Sequence, residues 1–402
     1  MTALPTAPAP ARRHDIDALR VLAFGLLILY HVGMFYVADW GWHIKSVHSA
    51  EWLQWPMLVV NQWRMPLLFL IAGVAARFLL RKGGAGAFAA SRTRRLLVPL
   101  LFGMAVIVPP QAYFQAVANG AFDGGYGDFL VRYFTFQPWP EGAFDGSHVG
   151  ITWNHLWFLP YLLAYALLLA AALPLLGSRV GLAVQAAFRG LRGWRLVAVP
   201  VVTLVLATWA LAGRFPTTHD LVTDWHTHAQ YFAMFVYGYW MGTDEGLWSE
   251  LRARRWRLLG ASGVFFAAFA MLALTTEPAP SWDRALYDVA QRLYGWTALL
   301  AVLAWGHQLL DRPFRWLPYA TEAVYPWYVL HQTITVAAGA GLSAFALGPV
   351  AEPVLLIVAT VVGCALLHEF VVRRVRWLRP LFGLAPAPRP AKATAPTVAA
   401  VG

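Results

Sequence analysis

Ten apolar stretches recur along the chain, separated by short polar segments. They cover residues 19–37, 57–79, 96–116, 156–176, 196–212, 229–241, 258–274, 289–310, 323–347 and 353–372. About 20 apolar residues cross a bilayer as a helix, so the pattern predicts an all-α, polytopic integral membrane protein of about ten transmembrane helices. The sixth stretch is the weakest, being short and carrying Gly238 and Gly242. Longer polar stretches occur at residues 117–155, whose glycines precede a Trp-rich end, and at the two termini. The first of these is expected to fold over the outer mouth of the bundle. The Pro- and Ala-rich segments 1–13 and 381–402 read as disordered tails flanking one membrane domain, 14–380. The first apolar run reads as a retained signal anchor rather than a cleaved leader.

Composition agrees with this picture. Of 402 residues, 59% are hydrophobic and 13% charged, against about 25% charged in ordinary soluble chains. A single cysteine, Cys364, excludes a disulfide framework and any cysteine-based metal centre. The net charge of +11 would suggest nucleic acid in a soluble protein, but its distribution does not. With the N-terminus inside, 25 of the 31 Lys and Arg residues fall on inner segments and 5 on outer ones, with Arg64 inside a span. Basic residues in short loops set orientation, so the charge predicts an N-in, C-in topology and excludes DNA or RNA binding.

Ionisable groups inside spans are expensive and mark candidate sites. Arg20 and His31 lie eleven residues apart on the first span, within 20° of one helix face and about 16 Å apart along the axis. Packing roles for both, as a snorkelling anchor and an interhelical contact, compete with a functional stripe. Arg64 follows Asn61 and Gln62 in the second span, where a salt bridge to Asp39 or Glu51 is the structural alternative. Arg92 and Arg95 share a helix face before the third span, serving either orientation or a phosphate clamp, for which arginine forks suit. Asn154, His155 and Trp157 open the fourth span from outside, where an aromatic belt is the plainer reading for the tryptophans. Glu322 opens the ninth span and precedes His331, which lies at a depth comparable with His31. A metal held by His31, His155 and His331 lacks ligand spacing within one element, and no metal is expected.

These segments together resemble the membrane-bound acyltransferase family 3. The Arg20-to-His31 spacing and the Arg92–Arg95 pair match that family's patterns. The segments 61–69, 155–159 and 325–332 are similar to family segments in the same order, with Ala72-Gly73 where many members have Ser-Gly. The resemblance spans about residues 13–380, and in detail it is greatest to a branch that succinylates periplasmic glucans. It implies a multi-pass protein of the bacterial inner membrane. A cytoplasmic acyl-CoA, succinyl-CoA or acetyl-CoA, would donate to a glycan hydroxyl on the other side, with no permanently bound cofactor. His31 would be general base, an acyl-histidine being the covalent alternative, with Arg64 and His331 beside it. Arg20, Arg92 and Arg95 would hold donor phosphates, and Asn154, His155, Trp157 and Glu322 would face the acceptor. The membrane domain alone would complete transfer. A glycan flippase is the competing class, and the oligomeric state is left open.

Overall fold

The computed structural model describes residues 12–275 and 281–386. Most of both expected tails lies outside the described residues. Where the expected C-terminal tail is described it packs, with Phe382 and Leu384 buried in the main core.

The described chain is helical. Its α-helices are α1 (His14–Tyr36), α2 (Gln54–Phe102), α3 (Pro109–Ala118), α4 (Tyr126–Tyr133), α5 (Phe158–Leu176), α6 (Arg179–Arg189) and α7 (Arg195–Leu211). Then follow α8 (Trp225–Met241), α9 (Glu245–Ala253), α10 (Arg255–Thr275), α11 (Ser281–Leu310), α12 (Leu317–Leu342), α13 (Gly348–Leu366) and α14 (Leu378–Leu381). Each of the ten apolar stretches lies on this helical framework. The second and third share α2, broken at Gly84 by a positive φ of 70° that glycine adopts without strain, and the third runs on through a π-turn into α3. Five helical segments of the described chain are long and apolar enough to cross a membrane: His14–Tyr36, Glu51–Ile107, Asn154–Leu176, Arg255–Leu274 and Gly348–Val372.

The bundle exposes apolar side chains and buries a set of polar ones within its apolar core. Val264, Val354 and Val358 face outward, whereas Arg64, Gln111, His155, His331, Gln332 and Glu352 are buried. In water this arrangement would be unfavourable. In lipid it is the arrangement that burial of polar groups requires.

Gly238 of the sixth stretch and Gly73 of the second mark where their helices pack. A Cβ on Gly238 would lie 1.9 Å from the Leu70 carbonyl oxygen, and one on Gly73 would lie 1.9 Å from that of Phe235. Backbones of α2 and α8 therefore touch, as small residues allow between membrane helices. Helix α1 packs on α12, α11 and α2, and α12 on α13. That arrangement brings the polar faces of α1, α2 and α12 together.

The segment between α3 and α5 forms a small aromatic core. Phe129, Tyr133, Trp139 and Phe144 pack against Ala112 and Ala116 of α3. The Tyr133 hydroxyl donates 3.3 Å to the carbonyl of Thr152 and accepts from the Thr152 N–H at 3.2 Å. This pins residues 145–154 across one end of the bundle. The opposite end is rich in arginine.

Candidate active site

A cavity of about 750 Å3 opens beneath the aromatic loop. Helices α1, α2 and α12 wall it with Tyr30, His31, Arg64 and Gln332, and residues 145–158 close it from the loop side. Trp157 and His219 stack face to face at its rim, ring centroids 4.1 Å apart. Burial lowers the pKa of His219, so its imidazole is neutral near pH 7 and stacks without a charge to solvate.

His31 and His331 meet across this cavity wall. Nδ1 of His31 lies 2.7 Å from Nε2 of His331, with the ring planes 16° apart. The surrounding bonds fix the tautomers. Nδ1 of His331 faces the carbonyl oxygens of Tyr328 at 2.8 Å and Trp327 at 3.2 Å, so it carries the proton and donates. Nε2 of His331 then accepts, and His31 must donate from Nδ1. The lone pair of His31 Nε2 is left over, and no described group pairs with it. His31 is only partly buried and lines the cavity. A chain of three hydrogen-bonding groups thus aims one basic nitrogen into a space large enough for a substrate.

His155 sits beside this pair, its ring edge-on to His331 at 5.3 Å. Its Nε2–H donates to the Val329 carbonyl at 3.1 Å, and its Nδ1 accepts from Gln111 at 3.3 Å. Both nitrogens are engaged, so His155 belongs to the wall and has no lone pair free for a metal or a sugar.

Arg64 is buried without a carboxylate. The alternative of a salt bridge to Asp39 or Glu51 is not realised: both are exposed, and among the described residues Arg64 forms no ion pair. Its guanidinium instead lies 3.4 Å above the Tyr30 ring, while its Nε and Nη1 find no acceptor. The Tyr30 hydroxyl donates 3.1 Å to Asn61 Oδ1. A desolvated cation with bare N–H groups beside a basic nitrogen is suited to an anion that forms during reaction.

A second polar chain reaches the cavity from the loop side. His43 Nδ1–H donates to Gln115 Oε1 at 2.7 Å, which leaves its Nε2 to accept from Gln332 Nε2 at 2.7 Å. The amide of Gln332 is therefore oriented, and its Oε1 is buried without a donor. Asn154, held at a positive φ of 47°, likewise buries an unpaired Nδ2. Both side chains line the cavity. One vacant acceptor and one vacant donor together match a hydroxyl group.

The other arginines expected at the site, Arg20, Arg92 and Arg95, lie at the other end. Arg20, paired with Asp17 at 3.2 Å, is within electrostatic reach of Arg95, as Arg92 is of both. Tyr325 donates to the Arg95 carbonyl at 3.1 Å, tying α12 to this cluster. Glu322 is not brought to the cavity: it pairs with Arg379 at 3.3 Å and Arg373 at 3.6 Å. Asp15, His307 and Asp311 also cluster here, but Arg13 grips Asp15 at 2.6 Å, so the group reads as an ion-pair network holding the start of α1 to α11.

Residues 13–369 match an acyltransferase domain. The chain belongs to the acyltransferase 3 family. Glucans biosynthesis protein C of Escherichia coli strain K12 is 24% identical over 156 residues, covering 38% of this chain and 37% of that protein. The same-named protein of E. coli strain SMS-3-5 is 23% identical over the same length. The alignments thus span little more than a third of the curated relatives. No solved structure matches the chain.

Within this acyltransferase 3 domain, the sequence reading missed His43 and Gln111 and gave Gln332 no role. Gln111 and Gln115 carried a signal, standing four residues apart where a span should be apolar. His43 carried none, because only the fold brings its loop against α3 and α12.

Proposed function

We propose that the protein is a membrane O-acyltransferase. It moves an acyl group, succinyl or acetyl, from a cytoplasmic acyl-CoA to a hydroxyl of an extracytoplasmic glycan. The observation that carries this reading is the basic nitrogen of His31, oriented by His331 and facing a cavity that also holds the unpaired guanidinium of Arg64.

The basic-residue distribution supports a reading in which the arginine-rich end faces the cytoplasm and the aromatic loop the exterior, in a ten-span, N-in, C-in arrangement. Arg20, Arg92 and Arg95 then bind donor phosphates, and the pantetheine arm runs along the face of α1 toward His31. The acceptor enters from the opposite end. Its hydroxyl donates to Gln332 Oε1 or accepts from Asn154 Nδ2 while it is being placed, and a sugar face rests on the Trp157–His219 stack.

His31 Nε2 removes the hydroxyl proton as the oxygen attacks the thioester carbonyl. The carbonyl oxygen becomes an oxyanion beside the Arg64 guanidinium. The positive imidazole of His31 is stabilised through Nδ1–H to His331, and His331 in turn by the Tyr328 carbonyl. Collapse breaks the carbon–sulfur bond, and His31 returns its proton to the leaving thiolate. The products are an ester and free CoA, and His31 is neutral again. The intact chain of bonds from His31 to a fixed carbonyl favours a general base over an acyl-histidine.

Purified protein incubated with labelled succinyl-CoA or acetyl-CoA and a candidate glucan tests the reading. Ester product on the glucan supports it. Movement of glycan across a vesicle membrane without ester formation would establish a flippase instead.

A further inference from the structure

Arg77, Arg81 and Arg189 have no role in the reaction above, yet they form a second cationic site at the arginine-rich end. The Arg77 guanidinium donates 3.0 Å to the Tyr239 hydroxyl and lies 5.0 Å from the centre of that ring, while its Nε is buried without an acceptor. Gly242 makes room for it, since a Cβ there would sit 3.0 Å from Arg77 Cβ. Arg189 donates from Nε to the Trp240 carbonyl at 3.0 Å, and its Nη2 is also buried and bare. The indole N–H of Trp240, the α8 residue whose carbonyl accepts from Arg189, is also unpaired. Arg77 and Arg189 are close enough to repel. Asp244, 3.8 Å from Arg189, pairs with that arginine alone among the three, and it is partly used in capping α9 at Leu247 N. Three guanidinium groups against one carboxylate leave a surplus of about two positive charges.

We infer that this pocket holds the phosphate of an acidic phospholipid from the adjoining leaflet. Guanidinium groups make charge-assisted hydrogen bonds to phosphate oxygens, and Arg77 and Arg189 each keep one N–H without an acceptor, Nε on the first and Nη2 on the second. The pocket that contains Arg77, Arg81 and Tyr239 is also walled by Leu80 and Leu173. Leu175, two residues beyond Leu173 at the end of α5, and Val180 at the start of α6 are about 70% exposed. A free phosphate needs no apolar wall. A phospholipid supplies both the anion and chains to cover it, and basic pockets between helices at the cytoplasmic interface take such headgroups. The bound lipid would tie α2 to α6 and α8, whether or not the protein transfers acyl groups.

Native mass spectrometry of the full chain in neutral detergent tests this, with phosphatidylglycerol and phosphatidylcholine titrated separately. Phosphatidylglycerol should bind at least about tenfold more tightly than phosphatidylcholine. Arg77→Gln combined with Arg189→Gln should weaken phosphatidylglycerol by about 10- to 100-fold and leave phosphatidylcholine unchanged, whereas the exposed Arg94→Gln should change neither. Arg81→Gln, at the exposed rim and unneeded for folding, should weaken phosphatidylglycerol several-fold even if the double variant fails to fold. Equal binding of the two lipids by the wild-type chain would overturn the inference. Displacement of phosphatidylglycerol by millimolar inorganic phosphate or by CoA would also overturn it, by showing a site for soluble phosphates.

Discussion

His331→Phe isolates the part of the account that depends on one hydrogen bond. Phenylalanine keeps a planar ring on α12 but removes the Nε2 lone pair that faces His31 Nδ1 at 2.7 Å. His31 then has a buried N–H without an acceptor and no group fixing its tautomer. A neutral bond of this kind is worth about 1 kcal/mol, but a bond to an imidazolium forming in the transition state is worth about 1.5–3 kcal/mol. Turnover should therefore fall about 10- to 100-fold. His331 does not reach the arginine-rich end, so the KM for acyl-CoA should stay within about twofold. His331→Gln restores an acceptor through Oε1 and should recover most of the rate. Steady-state transfer with labelled acyl-CoA gives both constants for each variant. Wild-type turnover by His331→Phe, or an equal loss in both variants, would refute the orienting role.

Three further outcomes follow from the same geometry. Arg92→Ala and Arg95→Ala should each weaken acyl-CoA binding about 10- to 100-fold in a calorimetric titration while glycan binding is unchanged; intact donor affinity with poor insertion would leave these arginines purely topogenic. Gly238→Ala places a methyl 1.9 Å from a backbone oxygen and should cost about 1–3 kcal/mol or more, read as a lower thermal unfolding midpoint, and an unchanged midpoint would contradict the tight crossing of α2 and α8. Reporter fusions after Leu80 and Leu176 should report cytoplasm and one within residues 120–150 the exterior, and an external report after Leu384 would sink the even-span topology.

Much of this arrangement was legible along the chain because bilayer physics writes itself into sequence. Apolar runs located the helices, and the eleven-residue spacing placed Arg20 and His31 on one continuous helix. Comparable depth singled out His331 as a partner for His31, but depth is one coordinate, and only the packing of α1 on α12 brings the rings together. The same limit explains Glu322, whose place before the His331 segment drew it toward the acceptor in the reading, although an ion pair with Arg373 and Arg379 holds it at the opposite end. His155 stood out as a polar residue in a span, yet its role depends on Gln111 and the Val329 carbonyl, which belong to other helices. Gly238 argued against a span in a one-dimensional reading and is required by the three-dimensional crossing.

The central claim is that His31 takes the acceptor proton, and His31→Gln tests it most directly. Glutamine can hydrogen-bond to His331 and fill much of the same space, but it cannot accept a proton to form a cation. Transfer by the purified, membrane-inserted variant should fall by about 10²–10⁴ or more, with acyl-CoA affinity close to wild type. Turnover at the wild-type rate would show that His31 only packs, and the proposed mechanism would be wrong.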